Sequence, residues 1–416
     1  MKILHAMPYP PVPPTFGGAL RIYHLLQHMT RHHRVTVLTY GGHNEYRLLR
    51  EHFGDRLQDI HLIPYPWFQH HRRLGQGYAL LTKQSFTHLI TYTKNMQRLI
   101  DLLLLRNEFD IVQSEFAIMG PFNFRTDAVK ILDAHNVEYD NFRRIGLSAP
   151  SLLRRLYYRR EYKAFFSEEI RACRKNDAIF VTSPRDKAIL DNDVPEIPKY
   201  VIPNGVDTSY FTPAAGSAEP YSLVFTGMMG YVPNYEGMLY FLSEIFPLIL
   251  KEIPQSKLYI VGSLPPKKLF KLASSNVIIT GYVDDVRPFI QKSSVYVVPL
   301  RMGGGTRLKI IEAMAVKKPI VTTTIGCEGI EVQDGESVMV RDEPASFANA
   351  VVELLRDKQK SARLAARGYE LVRARYDWSI ISRRMEECYE DIFHRNEHRT
   401  IRNANENELE RRIAVH

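Results

Sequence analysis

Two glycine-rich stretches, each set between a short apolar run and a helix-period segment, are the parts of this sequence best suited to chemistry. The first is Thr15-Phe16-Gly17-Gly18-Ala19. The second is Pro299-Leu300-Arg301-Met302-Gly303-Gly304-Gly305-Thr306-Arg307-Leu308-Lys309, which leads into Ile310-Ile311-Glu312-Ala313-Met314-Ala315. Glycines ahead of a helix leave backbone N–H groups bare, and the helix dipole adds a partial positive charge there. Both stretches therefore read as phosphate cradles, and Arg307 and Lys309 can reach a phosphate. Gly17-Gly18 could equally be an ordinary turn. Neither stretch follows the Gly-x-Gly-x-x-Gly spacing of dinucleotide enzymes, which disfavours a dehydrogenase. Glu312 stands among apolar neighbours, where a carboxylate is usually paired or used. One or two turns into such a helix, it can accept both hydroxyls of a ribose.

His135 closes the apolar run Lys130–His135, in Asp133-Ala134-His135-Asn136-Val137-Glu138. Ligands of open parallel sheets bind beyond the carboxyl ends of the strands, which places His135 at such an end. Asp133 could serve only to orient loop backbone. The pair Asp284-Asp285 precedes a helix and reads as an N-cap and its neighbour, and no cluster with metal-ligand spacing is expected.

Strand-length apolar runs position these residues. They are Lys2–Met7, Arg34–Tyr40, Asp110–Glu115, Lys130–His135, Ala178–Ser183 and Tyr200–Pro203, then Ser222–Gly227, Lys257–Gly262, Val277–Thr280, Val295–Leu300, Pro319–Thr323 and Ser337–Val340. Helix-period segments lie between them, including Gly18–Arg31, Asn234–Ile253, Val286–Lys292 and Arg307–Ala315. Such alternation predicts parallel sheets covered by helices, once in each half: an α/β protein of two Rossmann-like domains. The domains are expected over 1–200 and 201–375, with a helix over 376–393 and a polar tail over 394–416.

With 416 residues, 45% hydrophobic and 24% charged, the chain is neither disordered nor collagen-like. No apolar run reaches the ~18–20 residues of a membrane span, and the N-terminus lacks the apolar stretch of a signal peptide. Cys173, Cys327 and Cys388 lie far apart, which suits a reducing cytoplasm better than a disulfide framework. The net charge of +9 is lopsided: residues 1–200 hold 28 basic and 20 acidic side chains. Arg143 to Lys175 alone carries ten basic residues against three acidic, interleaved with Tyr157, Tyr158, Tyr162, Phe165 and Phe166. This segment is expected to form one long basic amphipathic helix suited to an anionic membrane surface, the bland alternative being a solvated basic face.

The second half resembles the retaining glycosyltransferases of the GT-B fold, family 4 (Glycosyl transferases group 1). The resemblance rests on Val201-Ile202-Pro203-Asn204-Gly205-Val206-Asp207, Leu223-Val224-Phe225-Thr226-Gly227, Gly281-Tyr282-Val283-Asp284-Asp285-Val286 and the glycine stretch ending Glu312-Ala313-Met314-Ala315. The first half looks like the family's acceptor domain through Gly17-Gly18 and the histidine strand. Similarity extends to about Phe393, where the helix near Trp378 resembles the segment that crosses back to the first domain.

The resemblance implies a cleft between the domains, Glu312 on the nucleotide ribose, Gly17 and Gly18 near the donor diphosphate, His135 on the donor sugar, and the backbone of Tyr282 and Val283 on the base. Gly227 belongs to the same implied donor site. Two positions depart from the family. Gly304 stands where the first Glu of the Glu-x7-Glu motif belongs, so backbone N–H groups of Gly303, Gly304, Gly305 and Thr306 are expected to replace it. The segment after Gly227 lacks the usual Arg and Lys, so Arg307 and Lys309 are expected to neutralise the diphosphate. A subgroup of exopolysaccharide assembly shares both features. The expected activity is retaining transfer of a sugar from a nucleotide-diphosphate donor to a glycan or lipid-linked acceptor in cell-surface polysaccharide or glycolipid synthesis. No cofactor or metal is expected, and the protein is placed in the cytoplasm or on the inner face of the membrane. A nucleotide-sugar epimerase or hydrolase on the same fold is the rival, and a nucleic-acid-binding protein is disfavoured.

Overall fold

In the computed structural model the described residues are 1–82, 84–148, 151–214, 216 and 218–414. The side chains of Phe68, His70, Arg72, Leu80, Ser148 and residues 397–414 are excepted. The chain divides into two compact units, Met1–Ile202 with Ser382–His416, and Pro203–Ile381.

The first unit is built on a seven-stranded sheet: β1 (Lys2–Ala6), β2 (Arg34–Tyr40), β3 (Leu57–Ile63), β4 (Ile111–Glu115), β5 (Val129–Asp133), β6 (Ala178–Val181) and β7 (Lys199–Val201). The order is β3-β2-β1-β4-β5-β6-β7, and every pairing is parallel. Strands buried on both faces need no alternation, which is why β6 reads as a continuous apolar run, whereas β4, Ile-Val-Gln-Ser-Glu, is equally buried and must pair its polar side chains. Strand β3 was not among the expected runs. It lies at the sheet edge and is mostly half-buried, and Gln58, Asp59 and His61 interrupt its apolar residues.

The second unit holds β8 (Ser222–Thr226), β9 (Lys257–Val261), β10 (Val277–Gly281), β11 (Val295–Val298), β12 (Ile320–Thr322) and β13 (Met339–Val340), again all parallel, in the order β10-β9-β8-β11-β12-β13. Its core gathers Leu223, Phe225, Ile260, Tyr296, Val298, Ile310, Met314 and Phe347, all wholly buried. In each sheet the strand order reverses once, between β1 and β4 and between β8 and β11. Those reversals are where open α/β sheets bind ligands.

Helices follow the expected segments with three corrections. The basic stretch is two helices, Glu138–Ser148 and Leu152–Arg174, not one. The second restarts at Ser151, whose side chain accepts the Arg154 N–H, while the intervening Ala149 and Pro150 lie outside the described residues. The expected helix over 376–393 is longer, running Trp378–Ala414. No Gly or Pro interrupts residues 378–414, so nothing stops the backbone helix at Phe393. Most side chains of the expected tail lie outside the described residues. The expected helix Asn234–Ile253 runs as Val232–Tyr240, a π-turn over Phe241–Ile245, and Phe246–Glu252. Pro247, at the start of the last piece, has no N–H to give to the i−4 carbonyl.

Candidate active site

The sequence of the first unit gathers a buried polar network at the β1–β4 reversal. His5 on β1 pairs in register with Gln113 on β4, and Glu115, two residues on and on the same face, pairs with Asp133 on β5. The Glu115 carboxylate meets two histidines: His5 Nε2 at 2.5 Å from Oε1, and His135 Nε2 at 2.6 Å from Oε2. Gln113 Nε2 donates to Glu115 Oε1 at 2.6 Å, and Tyr389, from the final helix, donates its hydroxyl to Gln113 Oε1. Burial would push the Glu115 carboxyl up, but the two imidazoles hold it well below the usual carboxylate range.

His135 is held in a left-handed backbone, φ +55°, and its ring stacks on Phe116, φ +65°, with centroids 3.7 Å apart. Two non-glycine residues in that region, side by side, are uncommon and mark a loop fixed by its surroundings. Asp133 contributes to that fixing. Its carboxylate takes Arg21 Nε at 2.9 Å and Nη2 at 3.2 Å, and the His135 N–H at 3.4 Å. Arg21 is thus a buried structural partner and not an anion ligand in the first helix turn.

Glu115, Asp133 and His135 lie close enough to hold a metal ion. The donor set does not suit one: Asp133 is engaged by a guanidinium and Glu115 by two histidines, so a cation would have to displace three ion-pair contacts. Gly18 is also packed rather than open. A Cβ there would lie 2.5 Å from Tyr9 Oη and 2.8 Å from Phe116. Gly17 opens the helix Gly17–His32 beside it.

In the second unit, the turns after β8 and β11 converge. Gly227 follows β8 with φ +151°, and a Cβ on it would lie 2.8 Å from both Asn234 Nδ2 and Lys309 Nζ. A Cβ on Gly262, after β9, would sit 1.9 Å from the Gly227 carbonyl oxygen. Only glycine fits either position. Lys309 Nζ donates to Asn234 Oδ1 at 2.8 Å and rests 3.9 Å from the Phe225 ring centroid. Asn234 in turn donates to the Met228 carbonyl at 2.9 Å.

Burial pushes the Lys309 ammonium down to about 7, helped by the Arg307 charge nearby. Burial likewise pushes the Glu312 carboxyl up to about 7, against the pull of Lys309. Among the described residues Glu312 has no hydrogen-bond partner, although it is only half-buried. A carboxylate and an ammonium left in these states beside tight glycine turns are positioned for a ligand rather than for stability.

The other expected residues fall as follows. Gly303, φ +114°, and Gly305, φ +73°, give the loop its shape. Arg307 is buried, and its Nη1 donates to the carbonyls of Gly304 and Gly305, the latter at 2.9 Å. Through Nη1 the Arg307 guanidinium braces the loop. The hydroxyl of Thr306 is buried without a partner among the described residues. Tyr282 is 75% exposed, whereas Val283 packs on the core. Asp285 is bound by Arg287, with Nη2 at 2.8 Å and Nε at 3.0 Å, and accepts the Arg287 N–H. The expected N-cap is corrected: Val286 is the residue at the helix start, and Asp285 lies one position before it.

Sequence reasoning did not single out His5, Glu115, Asn234 or Gly262. The signal for Glu115 was available: a carboxylate at the carboxyl end of a wholly buried strand must be paired.

The two parallel-sheet units have the GT-B fold. The structure of HepE from Anabaena in complex with UDP aligns with a TM-score of 0.67 at 14% identity, covering 94% of this chain and all of that one. The family model of glycosyltransferase family 4 matches residues 17–210, and that of glycosyl transferases group 1 matches residues 220–357. The chain belongs to that glycosyltransferase family. An uncharacterized 44.6 kDa protein in the cps region of Klebsiella pneumoniae is 22% identical over 74% of this chain and 80% of its own length. A phosphatidyl-myo-inositol mannosyltransferase of Mycolicibacterium smegmatis is 28% identical over 46% of this chain and 51% of its own. The chain thus spans about half the length of that mannosyltransferase.

Proposed function

We propose that this glycosyltransferase moves a sugar from a nucleotide-diphosphate sugar to a glycan or lipid-linked acceptor with retention of anomeric configuration, in cell-surface polysaccharide or glycolipid synthesis. The observation that carries the donor assignment is the second unit's pair of Lys309 and Glu312 at the converging glycine turns. Glu312 would take the ribose hydroxyls. Lys309 and the N–H groups of Gly303 to Thr306 would take the diphosphate, whose developing charge is the main electrostatic demand of the reaction. In this reading His135 meets the transferred sugar, and no metal or organic cofactor is required. The mannosyltransferase relative, named for a phosphatidylinositol acceptor, supports a lipid-linked acceptor.

A peripheral membrane site belongs to the same proposal. Among the described residues no helix is long and apolar enough to cross a membrane. Leu147, Leu152 and Leu153 are 74%, 72% and 80% exposed, and Arg154, Arg155 and Arg159 lie among or just beyond them. Leucines that enter the headgroup boundary beside arginines that stay at its surface fit an anionic lipid leaflet.

The test is transfer of radiolabelled sugar from UDP-, GDP- and dTDP-sugars into an organic-extractable fraction of bacterial membranes, followed by determination of the anomeric linkage. Label entering lipid with the donor's own anomeric configuration is the expected result. Hydrolysed or epimerised donor, with no transfer, would instead place the activity with the rival reading.

A further inference from the structure

The first unit's network runs from the final helix to the candidate sugar-contacting histidine without a break. Tyr389 donates to Gln113, Gln113 to Glu115, and Glu115 takes the Nε2 groups of both His5 and His135. Every member is buried. A carboxylate held in the ionised form only accepts hydrogen bonds, so Nε2 of each histidine must carry the proton. Among the described residues His5 Nδ1 is buried with no partner. His5 thus meets Glu115 through Nε2 alone and is a supporting member. The geometry for His135 differs, because its backbone lies in a loop beyond the strand end and its face is covered by Phe116.

We propose that Glu115 is a positioning residue for His135: together with Gln113, His5 and Tyr389 it locks Nε2–H into the unit, leaving Nδ1 as the ring nitrogen that meets a sugar hydroxyl, as an acceptor. The inference rests on the reading of His135 as a sugar contact. It adds which ring nitrogen works, what fixes it, and that the final helix takes part through a single hydroxyl.

The test combines a spectrum with a mutant cycle on the full chain. With 15N-histidine label, long-range proton–nitrogen correlations of the wild type should show His5 and His135 in the Nε2–H form, with far-downfield, slowly exchanging Nε2 protons. Glu115→Gln should move the His135 signals toward those of a free imidazole. Turnover is followed with the sugar nucleotide that most stabilises the wild type in a panel of UDP-, GDP- and dTDP-sugars. Glu115→Gln should lower it at least about tenfold with little change in donor KM, the scale of a lost charge-assisted hydrogen bond. In a His135→Ala background Glu115→Gln should cost nothing further. Tyr389→Phe, which removes one oxygen and keeps the shape, should lower turnover about two- to threefold, and it serves should Glu115→Gln fail to fold. Wild-type His135 in the Nδ1–H form would overturn the inference, as would an equal loss from Glu115→Gln or Tyr389→Phe with and without His135. Turnover indifferent to His135→Ala would instead overturn the underlying role of His135, whatever the spectra show.

Discussion

Lys309 and Glu312 carry opposite charges in one small space, and each is held away from its ordinary titration range by burial. A lysine with a lowered folded pKa costs stability in full below that pKa of about 7, and the cost fades as pH climbs toward the unfolded value. Glu312, raised to about 7, costs nothing below its unfolded value and its full amount above about 7. Near neutrality, then, Lys309→Met should stabilise the ligand-free protein, by roughly 1–2 kcal/mol after solvent screening, while removing most of the preference for a nucleoside diphosphate over the nucleoside. Melting curves with and without the two ligands check both halves of that expectation. Glu312→Ala should weaken nucleotide binding by about one to two decades, the worth of ~1.5–3 kcal/mol in charge-assisted hydrogen bonds. Calorimetric titration with the nucleotide decides it. Glu312 was legible in the sequence because its neighbours are apolar. The bracing of the loop by Arg307 was not legible, since composition cannot tell that a guanidinium folds back on the carbonyls of Gly304 and Gly305.

At the scale of elements, the glycine turns and the basic helix each separate two effects that sequence alone merges. Gly262→Ala would force a methyl into the Gly227 carbonyl, so the turns after β8 and β9 must part. Gly281 also has a left-handed backbone, φ +71°, but nothing lies within 4 Å of its missing Cβ. Gly281→Ala should cost only the backbone strain, ~1 kcal/mol, and Gly262→Ala ~3 kcal/mol or more together with nucleotide binding. Chemical denaturation of the two variants measures the difference.

In the basic helix, Arg160 holds the carbonyls of Ala79, Thr82 and Gln84 and pairs with Glu161, so it braces the fold. Reversing Arg154 and Arg159 to Glu should abolish co-sedimentation with anionic vesicles at an unchanged melting temperature, whereas Arg160→Glu should lower that temperature. The strands were readable because parallel, doubly covered strands are uniformly apolar. The edge strand β3 was not, because a half-buried strand with Gln58, Asp59 and His61 among its apolar residues lacks that signature. The break between Glu138–Ser148 and Leu152–Arg174 was legible in Gly146 and Pro150, since residues 145–153 carry neither a charge nor an aromatic ring.

Over the whole molecule, two units of one design divide the work. Each is a parallel sheet whose order reverses once: the first reversal carries the buried cluster of His5, Glu115 and His135, and in the second unit the half-buried Lys309 lies against Gly227, one helical turn before the half-buried Glu312. The fold class was legible from strand–helix alternation alone. The network around His135 was not, because its members lie far apart in sequence and meet only through strand register. The central claim is that the second unit is a nucleoside-diphosphate site read by Glu312. A ligand that binds only the folded state stabilises it by about 2.7 kcal/mol at a hundred times its dissociation constant, enough to raise the melting temperature by several degrees. Thermal unfolding of the wild type and Glu312→Ala with UDP, GDP, ADP and dTDP, each beside its nucleoside, tests this most directly. At least one diphosphate should raise the wild-type melting temperature well beyond its nucleoside, and that rise should largely vanish in Glu312→Ala. No rise with any diphosphate, or an undiminished rise in the variant, would contradict the account.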